Sequence, residues 1–187
     1  KAAYDQGRLS PQHARFFEPD APEELYNLEL DPAEVRNFAT CNSCQDELLI
    51  LRLALHNWQL EIGDVDMLPE AEMHRRTAGS TPYQLGHDPS RLRLDLVLDT
   101  AEMASNVTDR SWNRFPQLLD HSEPGVRYWA AMGLMLRGRS AVETGKSHLI
   151  NRLSDESPAV RVMAAEALLQ TDLAEGTSAG EILLTAC

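Results

Sequence analysis

Cys41-Asn42-Ser43-Cys44 has the spacing of a metal-binding or redox pair. One such pair supplies two thiolates, whereas a structural zinc site takes four ligands, and no second Cys-x-x-Cys occurs. His56, the nearest histidine, falls in a helical stretch whose register is set by apolar residues. A redox role calls for a βαβ setting that the sequence does not supply. Cys41 and Cys44 are therefore read as turn cysteines, and with Cys187 they are too few for a disulfide scaffold. His13, His56, His74, His87, His121 and His148 form no HExxH or HxH arrangement. There is no Gly-rich phosphate loop and no Gly-x-Ser-x-Gly elbow. Asn106-Val107-Thr108 is a glycosylation sequon, which matters only in a eukaryotic secreted protein. No catalytic, cofactor-binding or metal-binding residue is assigned.

The elements that would position chemistry begin at residues 22–39. Tyr26, Leu28 and Leu30 alternate with Asn27 and Glu29, a period of two that predicts a half-buried strand. Asp31-Pro32 stops it and starts a helix: Asp31 as cap, Pro32 at the first helical position, Glu34 reaching back. From Asp46 to Ile62, Leu48, Leu51, Leu55, Trp58 and Ile62 are spaced 3, 4, 3, 4 and form one apolar stripe, with Gly63 as the residue beyond the helix. The strand face of Tyr26, Leu28 and Leu30 is the expected partner of that stripe. Residues 1–21 predict a short helix followed by an extended approach.

Residues 22–39 resemble the C-terminal signature of the sulfatase family, spelled ELYDL..DP.E..NLA. Asn27 stands for the usual Asp and Phe38 for the usual Leu. Trp58, then Gly-Asp, then Leu68-Pro69-Glu70-Ala71-Glu72-Met73 are similar to the segment after the signature in a bacterial subgroup, which extends the resemblance to about seventy residues. The resemblance implies a small antiparallel sheet with helices over residues 1–73. It also implies that Lys1, Arg8, His13 and Arg15 lie near the route from the catalytic domain, where they are read as ordinary surface charges.

Residues 74–91 are rich in turn formers and are read as a linker. From residue 92 the pattern is helical. Leu92, Leu96 and Met103 mark one helix ending near Ser105, and an internal repeat comes after it. Pro124, Val126, Arg127, Ala130, Ala131 and Leu134 recur as Pro158, Val160, Arg161, Ala164, Ala165 and Leu168, an offset of 34 shared by Phe115 with Leu149 and Leu119 with Leu153. Proline launches each second helix, and the Ala-Ala pair lets helix axes approach closely. This unit resembles the HEAT family of helical hairpins; the tetratricopeptide spelling is missing. The HEAT resemblance implies an Asp of the preceding turn for each repeat Arg. Asp155 serves Arg161 in that scheme, and His121 stands where the Asp for Arg127 would be. Trp112, Tyr128, Trp129 and Met132 are read as core. Ile182, Leu183 and Leu184 begin a further helix.

Sulfatase chemistry needs a Cys/Ser-x-Pro-x-Arg motif, converted to formylglycine, and a divalent cation, usually calcium, held by oxygen ligands. Ser122-Glu123-Pro124-Gly125-Val126 is the nearest match and has Val where Arg is required. Calcium and formylglycine are accordingly expected in a part of the protein before Lys1. With no initiator Met or leader, the chain reads as an excised piece.

Composition bounds the rest. A 43% apolar content fits a globular protein of 187 residues, and no apolar run approaches the ~20 residues of a membrane span. Net charge is −12, and nine acids face one base, Arg36, between Glu18 and Leu51. That excludes nucleic acid as a natural partner and disfavours unaided capture of a sulfated polyanion.

The expected fold is mostly α: a small α+β subdomain over 1–73, a linker over 74–91 and a HEAT-like repeat region over 92–187. The expected function is that of a C-terminal sulfatase fragment completing its parent's fold and substrate side, itself inactive. A periplasmic or secreted setting comes with that resemblance, and the parent's N-terminal sulfatase domain is the expected partner. The alternative is a protein-interaction module on the repeats, favoured by an exposed apolar patch above roughly 400–600 Å².

Overall fold

Asn27 stops the expected strand before it can pair. Its side-chain Oδ1 accepts hydrogen bonds from the Glu29 and Leu30 amides, each at 3.1 Å, and its carbonyl accepts from Asp31 N at 2.8 Å. A side chain that offers the backbone such local bonds competes with a sheet ladder. The computed structural model describes residues 1–18, 21–107 and 110–186, and among them there is no strand. The α+β subdomain is thus corrected: the described residues are mostly α, with long turns and no sheet. Pro19, Thr108 of the sequon and Cys187 lie outside the described residues.

The chain divides into two compact units, 1–57 and 58–187. The first opens with two single-turn helices, α1 (Ala2–Asp5) and α2 (Pro11–Ala14). Residues 23–39 then form a closed loop held by one amide. Asn37 Oδ1 accepts from Leu25 N at 3.0 Å and Ala39 N at 2.9 Å, its Nδ2 donates to the Glu23 carbonyl at 2.9 Å, and Phe38 N donates to the Leu25 carbonyl at 2.7 Å. The expected helix after Asp31-Pro32 does not form either. Glu34 takes φ 52°, which ends any helical run, and Asp31 Oδ2 caps the more distant Arg36 N at 2.7 Å. Leu28 and Leu30 are exposed.

The long helix α3 (Gln45–Ile62) forms as its periodicity predicts. Gly63, at φ 63°, terminates it with a 5→2 bond to Leu60 O at 3.3 Å, and Asp64 N adds a 6→1 bond to Gln59 O at 2.9 Å. Its stripe behaves differently from expectation: Leu48 is buried, but Leu51, Leu55, Trp58 and Ile62 stay 41–55% exposed. Leu49, Ile50 and Leu53, off the stripe, are exposed as well.

The second unit is built on α4 (Glu70–Arg76), α5 (Pro82–Gly86) and α6 (Leu94–Ser105). The turn-rich residues 74–91 carry Leu85 with no exposed surface and a Thr81/Gln84 capping box that starts α5. Two helical hairpins come next. α7 (Phe115–Leu118) leads to α8 (Pro124–Leu136); after α9 (Arg139–Thr144), α10 (Lys146–Arg152) leads to α11 (Pro158–Gln170). Both long helices start at their proline and run 13 residues, the offset of 34 kept at both ends. Every apolar pair named for the repeat, from Phe115 with Leu149 to Leu134 with Leu168, is buried. α12 (Ala179–Ala186) packs on α11.

Packing differs between the hairpins in one informative way. Phe115 lies against Gly133, where an added Cβ would sit 2.5 Å from the ring; in the second hairpin Leu149 replaces Phe115 and Ala167 replaces Gly133. The larger ring is matched by the smaller helix residue. Arg137 lies 5.1 Å from the centre of the Phe115 ring and donates to the carbonyls of Met103, Ala104, Asn106 and Gly133, binding the end of α6 to α8.

Candidate functional site

Cys41 and Cys44 occupy the entry to α3. Phe38 O accepts from Cys41 N at 2.9 Å, and Cys41 O accepts from Cys44 N at 3.1 Å, closing a turn that draws the two residues together. Both thiols meet one hydroxyl: Ser43 Oγ lies 3.2 Å from Cys41 Sγ and 4.0 Å from Cys44 Sγ. Gln45 Nε2 pins the turn through the carbonyls of Ala39, at 3.0 Å, and Cys41, at 2.9 Å. Hydrogen bonds from the Ser43 hydroxyl, then the Cys44 thiol, lower the Cys41 thiol to about 7, while the bond to Cys41 and burial raise Cys44. Both are half-buried free thiols.

The 58–187 unit holds a buried ionic ladder. Asp155, inside the turn before α11, accepts from Ser157 N at 2.9 Å and from Arg127 Nη2 at 2.7 Å. Arg161 reaches only its backbone carbonyl, at 2.8 Å. The expected pairing of Asp155 with Arg161 is therefore corrected: the carboxylate serves the Arg of the preceding hairpin. His121 fills the equivalent turn position. Its Nδ1 accepts from Glu123 N at 3.0 Å, as Asp155 does from Ser157, and its carbonyl accepts from Arg127 at 2.8 Å, as Asp155's does from Arg161. An unprotonated imidazole nitrogen thus supplies the turn cap, and only the ion pair is moved.

Two further carboxylates extend the ladder. Glu123 pairs with Arg76. Glu72, 1% exposed, accepts from Arg75 Nη2 at 2.7 Å and from Ser157 Oγ at 2.6 Å. Burial pushes the Glu72 carboxyl up, but the Arg75 and Ser157 hydrogen bonds and the charges of Arg75 and Arg76 outweigh it and hold it below the ordinary range. These carboxylates are each paired with a guanidinium group and present no nucleophile to solvent. Sequence reasoning missed Glu72 because its partner Ser157 lies 85 residues away.

Ser122-Glu123-Pro124-Gly125-Val126 does not fit a formylglycine centre. Glu123 is engaged with Arg76 and Gly125 N, and Val126 is 1% exposed in the core. A shallow groove lined by Leu60, His87, Leu92, Arg93 and Asp95 has its charges paired, Arg93 to Asp95 at 2.6 Å, and His87 bonded to Tyr83 O at 2.8 Å. Trp112, Tyr128, Trp129 and Met132 are half-buried against the core, as expected, and Trp129 donates to Met67 O at 2.7 Å.

Comparison with known proteins adds two findings. Residues 147–170, which span α10 and α11, match the HEAT repeat. Over 86 residues the chain is 34% identical to the Ulvan-active sulfatase of Formosa agariphila, covering 45% of this chain and 14% of that relative. The chain therefore carries a sulfatase-like region and a HEAT-like repeat, and the similar stretch is a small part of the relative's length. No solved structure matches the chain.

Proposed function

We propose that this chain is the non-catalytic, C-terminal part of a sulfatase-type sulfuric ester hydrolase, its sulfatase-like region followed by a HEAT-like extension. The observation that carries the reading is the 34% identity to the Ulvan-active sulfatase. The surface of α3 supports it. Leu49, Ile50, Leu51, Leu53, Leu55 and Trp58 are all more than half exposed, an apolar helix surface that suits a segment resting on a further part of a longer protein. In this reading the parent's catalytic domain is the partner, it holds the formylglycine and calcium, and the protein is exported.

The HEAT match supports a second reading, a protein-binding module. Against it, the large apolar side chains exposed on α8, α10 and α11 among the described residues are Leu136, Ile150 and Leu169, one on each helix. Peptide mass spectrometry of the natural full-length protein tests the first reading. A Cys/Ser-x-Pro-x-Arg peptide carrying formylglycine supports it. Full coverage upstream of Lys1 without that motif refutes it and leaves the module.

A further inference from the structure

We propose that Cys41 and Cys44 are a reversible dithiol–disulfide pair, oxidised by thiol–disulfide exchange with a disulfide of low molecular weight or of another protein. The geometry carries this. The Cys44 N–H to Cys41 O bond, at 3.1 Å, is the closure of a four-residue turn, which holds the Cα atoms within about 7 Å, near the upper limit of the separation a disulfide spans. Both sulfurs converge on Ser43 Oγ, at 3.2 and 4.0 Å, so neither side chain points away from the other. The two intervening residues are exposed and the two thiols half-buried, which leaves an approach from solvent.

The environment also divides the labour. The Ser43 hydroxyl and the Cys44 thiol stabilise a thiolate on Cys41, whose pKa falls to about 7, whereas Cys44 is held protonated. Cys41 is the attacking sulfur. Its thiolate displaces one thiolate from the incoming disulfide R–S–S–R and forms a mixed disulfide. Cys44 then gives up its proton, attacks the Cys41 sulfur and releases the second thiolate. Two electrons pass from the cysteine pair to the reagent, and two R–SH leave once both released thiolates are protonated. No βαβ frame is needed for this, because the turn and Ser43 supply the proximity and the acidity.

The test uses the full chain with Cys187→Ser, which removes the third thiol, and oxidised glutathione as the disulfide at pH 7. The expected product has lost two hydrogens by intact mass and carries a 41–44 link by peptide mapping. Cys44→Ser accumulates a glutathione adduct on Cys41. In Cys41→Ser the adduct on Cys44 forms at least about fivefold more slowly, since at pH 7 a thiol at about 7 carries about fiftyfold more thiolate than one at the ordinary value of 9.0, above which Cys44 is raised, while lower nucleophilicity returns about tenfold. Stable glutathione adducts on the pair without the internal link overturn the proposal, as do equal rates for the two single variants. Should a serine variant lose helicity, iodoacetamide labelling of the Cys187→Ser chain decides. Half-maximal Cys41 labelling near pH 7 supports the pair, and labelling of both thiols only above pH 8.5 refutes it.

Discussion

Replacing Gly133 with alanine tests whether the two hairpins are alternative solutions of one packing problem. The new Cβ would lie 2.5 Å from Phe115 Cζ, and the ring cannot retreat because Phe115 has no exposed surface and Arg137 lies over it. Overpacking of this kind costs about 1–3 kcal/mol. Removing a glycine from a helix interior returns about 1 kcal/mol. The net expectation for Gly133→Ala is a loss of about 1 kcal/mol, or roughly 2–4 °C in Tm for a chain of this size. Phe115→Leu alone opens a cavity and costs about 1–2 kcal/mol. Together they reproduce the Leu149/Ala167 pair of the second hairpin, so in the Phe115→Leu background Gly133→Ala should stabilise by up to about 1 kcal/mol. The sign reversal is the readout, a coupling of about 1–3 kcal/mol. Urea unfolding followed by tryptophan fluorescence suits it, because Trp58, Trp112 and Trp129 all lie in the 58–187 unit. An equal cost of Gly133→Ala in both backgrounds would refute the complementarity.

Three other perturbations concern the same unit. Asp155→Ala removes the buried partner of Arg127 and the cap on Ser157 N, and should cost about 3–5 kcal/mol in urea unfolding. Gly86→Ala places a Cβ on the Gly63 carbonyl, a backbone neighbour that cannot rotate away, and should cost about 3 kcal/mol in the same assay. Glu72 gives a pH dependence. Its folded pKa is depressed, so its stabilisation is complete above the unfolded carboxylate value, about 4.3, and is lost as pH falls through the folded value. Stability measured from pH 7 down to pH 2 should therefore fall less steeply in Glu72→Gln than in the unsubstituted chain, the difference arising below about pH 4.5.

The repeat was legible because its residues answer to burial, and burial is periodic. The alanine pairs and the leucines occupy equivalent buried places because a hairpin that stacks on its neighbour needs the same small and large side chains at the same steps, and Pro124 and Pro158 each start the second helix. The helix over 45–62 and its Gly63 terminus were legible for the same kind of reason, a local one. What α3 buries was not. An apolar stripe states that a partner surface is wanted and says nothing of where it is, and the loop over 23–39 that was expected to supply it is closed on itself by Asn37.

The polar contacts were the least legible, and the ladder shows why. An Arg at a fixed repeat position can reach the turn of its own hairpin or that of the next one; sequence spacing favours the first, and the packed hairpins bring Asp155 to Arg127. His121 then ceases to be an exception. The position needs an acceptor for the amide two residues on, which an imidazole nitrogen supplies as well as a carboxylate does. The charge is required only where a buried guanidinium arrives from the preceding hairpin. On that logic an Asp is needed at the turn of a hairpin that comes after another carrying the repeat Arg. His121→Asn should keep the cap and leave stability within about 0.5 kcal/mol, while Asp155→Asn should keep the cap and still lose about 1.5–3 kcal/mol, because Arg127 loses its buried counter-charge and keeps only the exposed Glu156 carboxylate, at 3.3 Å. Equal effects of the two substitutions in urea unfolding would mean that the turns, and not the ion pair between hairpins, set the requirement.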